Sequence, residues 1–84
     1  MNAVEQLTMK RALETLDSVN AGLSESALFD FVERTIGRHL TVGERMKARE
    51  TAVAKEWIYD FRDKLTDEIK FAITPAGRLA MVAL

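Results

Sequence analysis

Two amphipathic helices are predicted in the first half of the chain, because apolar residues recur there at helical spacing. The first helix is expected over about residues 2–20, and its apolar face carries Met9, Ala12, Leu13, Leu16 and Val19. The second is expected to begin after the N-cap Ser24 and to end near Ile36, before Gly37. Gly22 lies in the link between them, where a left-handed backbone conformation is expected.

A third helix is predicted over about residues 42–55. It follows a capping box, in which Thr41 and Glu44 each accept a hydrogen bond from the other's backbone amide. The apolar residues of this segment predict an inward face made of Val42, Met46, Val53 and Trp57. The outer face of the helix would then carry mainly cations and small side chains.

Aromatic and β-branched residues alternate after the third helix, which is typical of strands. Residues 57–62 and 68–73 are predicted to form a hairpin with its tip at residues 63–67. A register that pairs Arg62 with Glu68 gives each face one character. Its apolar face consists of Trp57, Tyr59, Phe61, Ile69, Phe71 and Ile73. We interpret this face as core; the alternative is a platform on which single-stranded bases stack.

A short fourth helix is predicted after the hairpin, where Thr74 serves as N-cap and Pro75 takes the first helical position. The chain has no repeat and no Pro/Gly-rich linker. Residues 1–84 are therefore expected to form a single α+β domain with the order helix, helix, helix, hairpin, helix.

Composition excludes several classes of function. The chain lacks cysteine, which excludes disulfides and Cys-based zinc sites, and His39 is its only histidine. We therefore expect no metal, no cofactor and no enzymatic activity. The absence of a signal-like or membrane-spanning apolar run predicts a cytoplasmic protein. The net charge is −1, so any binding to nucleic acid must depend on where the charges lie.

The order of elements resembles the winged helix-turn-helix regulators of the MarR and PadR type. Two helices joined by a tight turn precede a hairpin, and residues 73–79 (ITPAGRL) are similar to the segment that closes the wing in those families. The resemblance covers residues 16–79. It implies a winged-helix fold, a third helix that enters the major groove, and function as a small transcription regulator that binds double-stranded DNA at specific sequences.

Candidate DNA contacts follow from the predicted outer face of the third helix, where small residues separate cations and let the backbone approach a groove. The candidates are Arg45, Lys47, Ala48, Thr51 and Lys55, with Lys64 at the wing tip near the DNA backbone. A solvated face of ordinary charges is one alternative. The other is a winged helix that binds a protein partner or takes part in assembly without DNA, which the near-zero net charge favours.

Apolar residues outside the predicted core indicate self-association. Val4 and Leu7 lie off the main stripe of the first helix, and residues 79–84 are apolar throughout. An exposed patch that includes Val4, Leu7, Met81 and Leu84 would favour an isologous homodimer. The alternative is that Leu79 and Val82 cover the back of the first helix.

Overall fold

The computed structural model describes residues 1–84 as four helices and a two-stranded antiparallel sheet. The helices are α1 (Ala3–Asp17), α2 (Glu25–Ile36), α3 (Val42–Ala54) and α4 (Pro75–Ala83), and the strands are β1 (Ile58–Arg62) and β2 (Ile69–Ile73). This is the topology of a winged helix, so the predicted fold class is confirmed. None of the four helices combines the length and the apolar character needed to cross a bilayer.

The predicted capping signals lie at the observed helix starts. The side chains of Ser24, Thr41 and Thr74 each accept a hydrogen bond from an amide in the first turn of α2, α3 and α4. The Glu44 carboxylate completes the capping box of α3 by accepting from the Thr41 amide at 2.9 Å. The first helix is shorter than predicted: it ends at Asp17, where Ser18 donates its hydroxyl to the carbonyl of Thr15.

The hydrophobic core lies between α1, α2 and one face of the sheet. Leu13 of α1 and Val32 of α2 are completely inaccessible to solvent. The twelve buried apolar residues are Met9, Ala12, Leu13, Leu16, Leu28, Phe29, Val32, Leu40, Ala52, Ile58, Phe71 and Ile73. Only one of them, Ala52, belongs to α3, so that helix packs on the core edge with small side chains.

The register of the hairpin differs by one residue from the predicted one. Arg62 lies opposite Ile69 rather than Glu68. The tip is closed by a hydrogen bond from the Asp63 amide to the Glu68 carbonyl (2.8 Å), and Asp67 takes a left-handed conformation with φ of 60°. The tip therefore holds one residue more than predicted. The alternation of side chains along the strands does not specify the length of the tip.

The shift of register reverses the faces of β1. Ile58 lies opposite Ile73, and both are buried, whereas Tyr59 is 51% exposed. The prediction that Trp57, Tyr59 and Phe61 form a core face is therefore wrong: Trp57 and Phe61 are half-buried and Tyr59 faces solvent. Directly opposite residues share a face, so Ile58 lies on the core side with Ile73. The buried side chain of β1 is therefore this isoleucine and not the three predicted aromatic rings.

A single bridge joins the α1–α2 link to the sheet. Leu23 and Phe71 exchange two backbone hydrogen bonds of 3.0 and 2.8 Å. The preceding Gly22 has φ of 77°, as expected for the link, and a Cβ there would lie 2.8 Å from the Phe71 carbonyl oxygen. Glycine at this position thus lets the link reach the edge of β2.

The start of α4 packs on the residues that leave α3. Thr74 donates its amide to the Trp57 carbonyl at 3.0 Å and its hydroxyl to the Glu56 carbonyl at 2.6 Å. Gly77 is buried there, and a Cβ at Gly77 would lie 2.1 Å from the Trp57 carbonyl oxygen. The Thr-Pro-Ala-Gly segment therefore fixes α4 against the α3–β1 junction.

Glu33 of α2 holds together the three parts of the helix-turn-helix. Its carboxylate accepts from the Leu40 amide at 2.5 Å and from His39 Nδ1 at 2.9 Å, both in the turn. It also binds the guanidinium of Arg45 on α3 at 2.9 Å. The Leu40 hydrogen bond, followed by those from Arg45, holds the pKa of Glu33 below its ordinary value of 4.5.

Substitution of Gly77 by alanine tests the packing of α4. The added methyl would overlap a backbone oxygen, so we expect Gly77→Ala to lower the free energy of unfolding by about 1–3 kcal/mol. Urea denaturation measures the change. Gly43→Ala is the matched control, because the nearest atom to its Cβ is 3.9 Å away and alanine favours helix by about 1 kcal/mol. Equal stability of Gly77→Ala and wild type would contradict this packing.

The pH dependence of stability tests the role of Glu33. Because its pKa is lowered on folding, Glu33 stabilises the protein fully above pH 4.5 and loses this contribution as the pH falls through its lowered pKa. We expect Glu33→Gln to lower the urea midpoint at pH 7, and the gap to wild type to shrink below pH 4.5. Glu50→Gln controls for loss of one exposed charge on α3. A gap that stays constant with pH would refute this role.

Candidate nucleic-acid interface

The α3 helix presents a different face to solvent from the one its apolar residues predict. Val42 is 74% exposed, Met46 43% and Val53 41%, so the prediction that they point inward is wrong. The inner face instead carries Ala48 and Ala52 together with two arginines. The helix is thus rotated so that its larger apolar side chains lie at the surface.

Ion pairs with α2 explain this rotation. Arg45 binds both Asp30 and Glu33 at 2.9 Å, and only 19% of its side chain is exposed. One turn further on, Arg49 binds Glu25 at 3.2 Å. Acidic residues on α2 therefore draw the arginine face of α3 inward, and the alanines between them let the two helices approach. To reach a base, the Arg45 guanidinium would have to leave two carboxylates.

Three further residues predicted to contact DNA lie on the side of α3 that faces α1: Lys47, Ala48 and Thr51. Lys47 forms an ion pair with Glu5 of α1, although 69% of the lysine side chain remains exposed. This contact and the capping bond from Asn2 lower the pKa of Glu5. Ala48 and Thr51 are half-buried and line a cavity of about 370 Å³ between α3 and the start of α1. Of these three residues only Lys47 extends into solvent.

The two remaining candidates are exposed lysines. Lys55 follows the last turn of α3, and its ammonium lies 5.4 Å from the centre of the Trp57 ring. Lys64 lies at the wing tip and forms no ion pair. Both ammonium groups are therefore free of carboxylate partners, in contrast to Arg45.

The wing tip has a fixed shape. Asp63 accepts from the Leu65 amide at 2.9 Å and from the Lys70 ammonium at 2.7 Å. The Lys70 hydrogen bond, followed by that of Leu65, lowers the pKa of Asp63. Arg62 binds Asp67 rather than the predicted Glu68, because the register is shifted. These contacts leave Leu65 96% exposed beside Lys64, at the end of a constrained loop.

The exposed arc of α3 is nearly neutral, with one cation and one anion among short and long side chains. It consists of Val42, Gly43, Met46, Lys47, Glu50, Val53 and Ala54. Sequence reasoning missed its three apolar members because it assigned them to the core. The acidic residues of α2 could have indicated the correct rotation, since Asp30 and Glu33 are three residues apart and meet Arg45 together. Glu25 meets Arg49.

The residues assigned to self-association divide between surface and core. Val4 and Leu7 are 41% and 40% exposed, as expected. Met81 and Leu84 pack against the core instead, and Lys10 of α1 donates to the Leu84 carbonyl at 3.1 Å. The exposed apolar side chains of α4 are Leu79 (76%) and Val82 (79%), so neither covers the back of α1. The patch on α4 therefore has a different composition from the predicted one.

No group of three or more His, Asp and Glu side chains is arranged to hold a metal ion. His39 is 82% exposed and contacts Glu33.

Comparison with known proteins supports the fold alone. No family model matches the chain, and no curated protein does. Among solved structures, the chain is similar to the crystal structure of SSV1 F-93, with a TM-score of 0.71 at 11% sequence identity. The match covers 99% of this chain and 82% of F-93. The likeness therefore extends over the whole winged helix, although few residues are shared.

Proposed function

We propose that this protein binds double-stranded DNA at specific sequences as a small transcription regulator, with α3 in the major groove. The observation that supports this most is the uncovered outer arc of α3, the second helix of the helix-turn-helix. Its side chains, apart from Lys47 and Glu50, are uncharged, and Met46 and Val53 project from it where base edges would lie. The specific MarR or PadR type belongs to this proposal as well.

Three lysines are the proposed phosphate contacts: Lys47, Lys55 and Lys64. They are the exposed cations of α3, its C-terminal end and the wing tip. Arg45 and Arg49 act by holding α3 on α2, because their guanidinium groups bind carboxylates of α2 and their side chains are only 19% and 32% exposed. The Lys47 side chain is 69% exposed although it contacts Glu5. Ala48 and Thr51 line the cavity between α3 and the start of α1 and are not proposed as DNA contacts.

A second copy of the chain is the proposed partner on the α4 side. The outer face of α4 carries Pro75, Ala76, Leu79, Val82 and Ala83. A specific interface buries at least about 500 Å² on each partner, which is about a tenth of the 5186 Å² surface here. Leu79 and Val82 on this face are 76% and 79% exposed, and Leu7 on α1 is 40% exposed. The dimer interface proposed is thus Leu79 and Val82 with Leu7, whereas Val4 lines the cavity between α1 and α3 instead.

The charges around this face favour a second copy of this chain over a partner whose surface carries charge of a single sign. Arg78 binds Asp17 at 2.9 Å, and Arg11 binds Glu14 on the neighbouring turns of α1. The rim therefore alternates in sign, and a two-fold axis can set the cations of one copy beside the anions of the other. Such a dimer would present two copies of α3 to the DNA.

A protein partner for α3 is a second candidate function, favoured by one observation. Eight of the twelve basic side chains are in ion pairs with carboxylates of the same chain. The exposed arc of α3 holds three apolar side chains and one lysine, which is itself paired. A surface of this kind also suits a partner protein.

The salt dependence of DNA binding tests the lysine contacts. Neutralisation of three phosphates gives a slope of about −3 for log K against log salt concentration. Lys47→Ala, Lys55→Ala and Lys64→Ala should each weaken binding to all sequences and make the slope shallower by about 1. Fluorescence anisotropy with a duplex selected from a random pool measures both. Lys10→Ala is the control, since Lys10 contacts Leu84 on the α4 side.

If no duplex binds at low salt with a dissociation constant below about one micromolar, DNA binding is refuted and the protein partner is favoured.

Light scattering at tens of micromolar tests the dimer. We expect wild type to have the mass of a dimer and Leu79→Lys to have that of a monomer, because a buried lysine at the centre of the interface has no partner. Leu65→Lys is the matched control: Leu65 is 96% exposed on the wing, and this variant should remain a dimer. Wild type with the mass of a monomer at these concentrations would contradict the proposal.

A further inference from the structure

We infer that α3 recognises the C5-methyl groups of thymine by apolar contact, with Met46 at the centre of the contact. The inference rests on the proposed binding of duplex DNA and specifies what that DNA must contain. It follows from the chemical groups that the exposed arc of α3 offers and from those it lacks.

The exposed arc lacks the groups that read purines best. Guanine is read most often by a forked contact from arginine, and adenine by the amide of asparagine or glutamine. The arginines of α3 are bound by Asp30, Glu33 and Glu25, and the helix contains neither asparagine nor glutamine. The one exposed lysine, Lys47, already binds Glu5. Purine readout would therefore require ion pairs of the folded protein to break.

The exposed arc offers apolar groups and one carboxylate. Val42, Met46 and Val53 lie along one side of the helix and are between 41% and 74% exposed. Thymine is the only base with a methyl group in the major groove, and apolar side chains read it by contact. Glu50 lies 3.6 Å from the Arg49 guanidinium but remains 65% exposed, and its carboxylate suits the amino group of cytosine. This set of side chains matches pyrimidines, and thymine in particular.

The spacing of the apolar side chains fits neighbouring base pairs. Val42 and Met46 are four residues apart, or about 6 Å along the helix axis. Base pairs follow one another at about 3.4 Å, so these two side chains span about two base-pair steps. Both lie in the N-terminal half of α3, the part of a recognition helix that meets base edges. A short run of thymines is therefore the expected centre of each half-site.

Replacement of thymine by deoxyuridine tests the inference, because it removes only the C5-methyl group. A duplex selected from a random pool is made again with deoxyuridine at one thymine at a time, and affinity is measured by fluorescence anisotropy. We expect each contacted methyl to contribute about four-fold in affinity. Deoxyuridine at thymines outside the binding site is the control and should have no effect.

Variants of Met46 connect the effect to α3. Met46→Ser should bind the thymine duplex about as weakly as wild type binds the deoxyuridine duplex, and should no longer distinguish the two. Met46→Leu, which keeps the apolar contact, should retain the distinction. Both substitutions are at a half-exposed position, and thermal unfolding verifies that the variants fold.

Two outcomes contradict the inference in distinguishable ways. If a duplex is selected but deoxyuridine leaves its affinity unchanged at every position, methyl recognition is refuted while DNA binding stands. If no duplex is bound at low salt, the proposed function itself fails, and the inference fails with it.

Discussion

The ion pairs between Arg45 and the carboxylates of α2 set the rotation of α3 about its own axis, and the surface of the protein depends on that rotation. With Arg45 bound to Asp30 and Glu33, the alanine face turns inward and the valines and Met46 turn outward. Such a partly buried arginine leaves its partners only at a considerable cost, because each carboxylate would lose a charge-assisted hydrogen bond. Electrostatics inside the helix-turn-helix thus decides which chemistry faces a ligand.

The sequence predicts the elements of this fold better than their orientations. Capping residues such as Ser24, Thr41 and Thr74 act within four residues of themselves, so they can be read from the chain alone. The rotation of α3 and the register of the hairpin depend on partners far away in the sequence. Arg45 meets acids on another helix, and the register follows from a left-handed Asp67 that the side-chain pattern does not encode. The missed parts of the candidate site have this non-local origin.

Internal pairing of charge gives the protein a surface with little long-range attraction for a polyanion. Most of its cations already face carboxylates, so general affinity for DNA through the phosphates is expected to be low. If α3 binds DNA as proposed, its fit to base edges would have to provide a larger share of the binding free energy than in a strongly basic protein. Low general affinity is an advantage for discrimination, because fewer competing sites retain the protein.

The contact between Gly77 and Trp57 joins the start of α4 to the segment that follows α3. Gly77 lies in the first turn of α4, and Trp57 lies three residues beyond the last residue of α3, with no room for even a methyl group between their backbones. Because closely packed backbones transmit displacement, we expect a tilt of α4 to shift the carboxyl end of α3. A partner bound at the proposed α4 face would therefore bias the angle of α3, and DNA bound at the proposed face of α3 would bias the angle of α4.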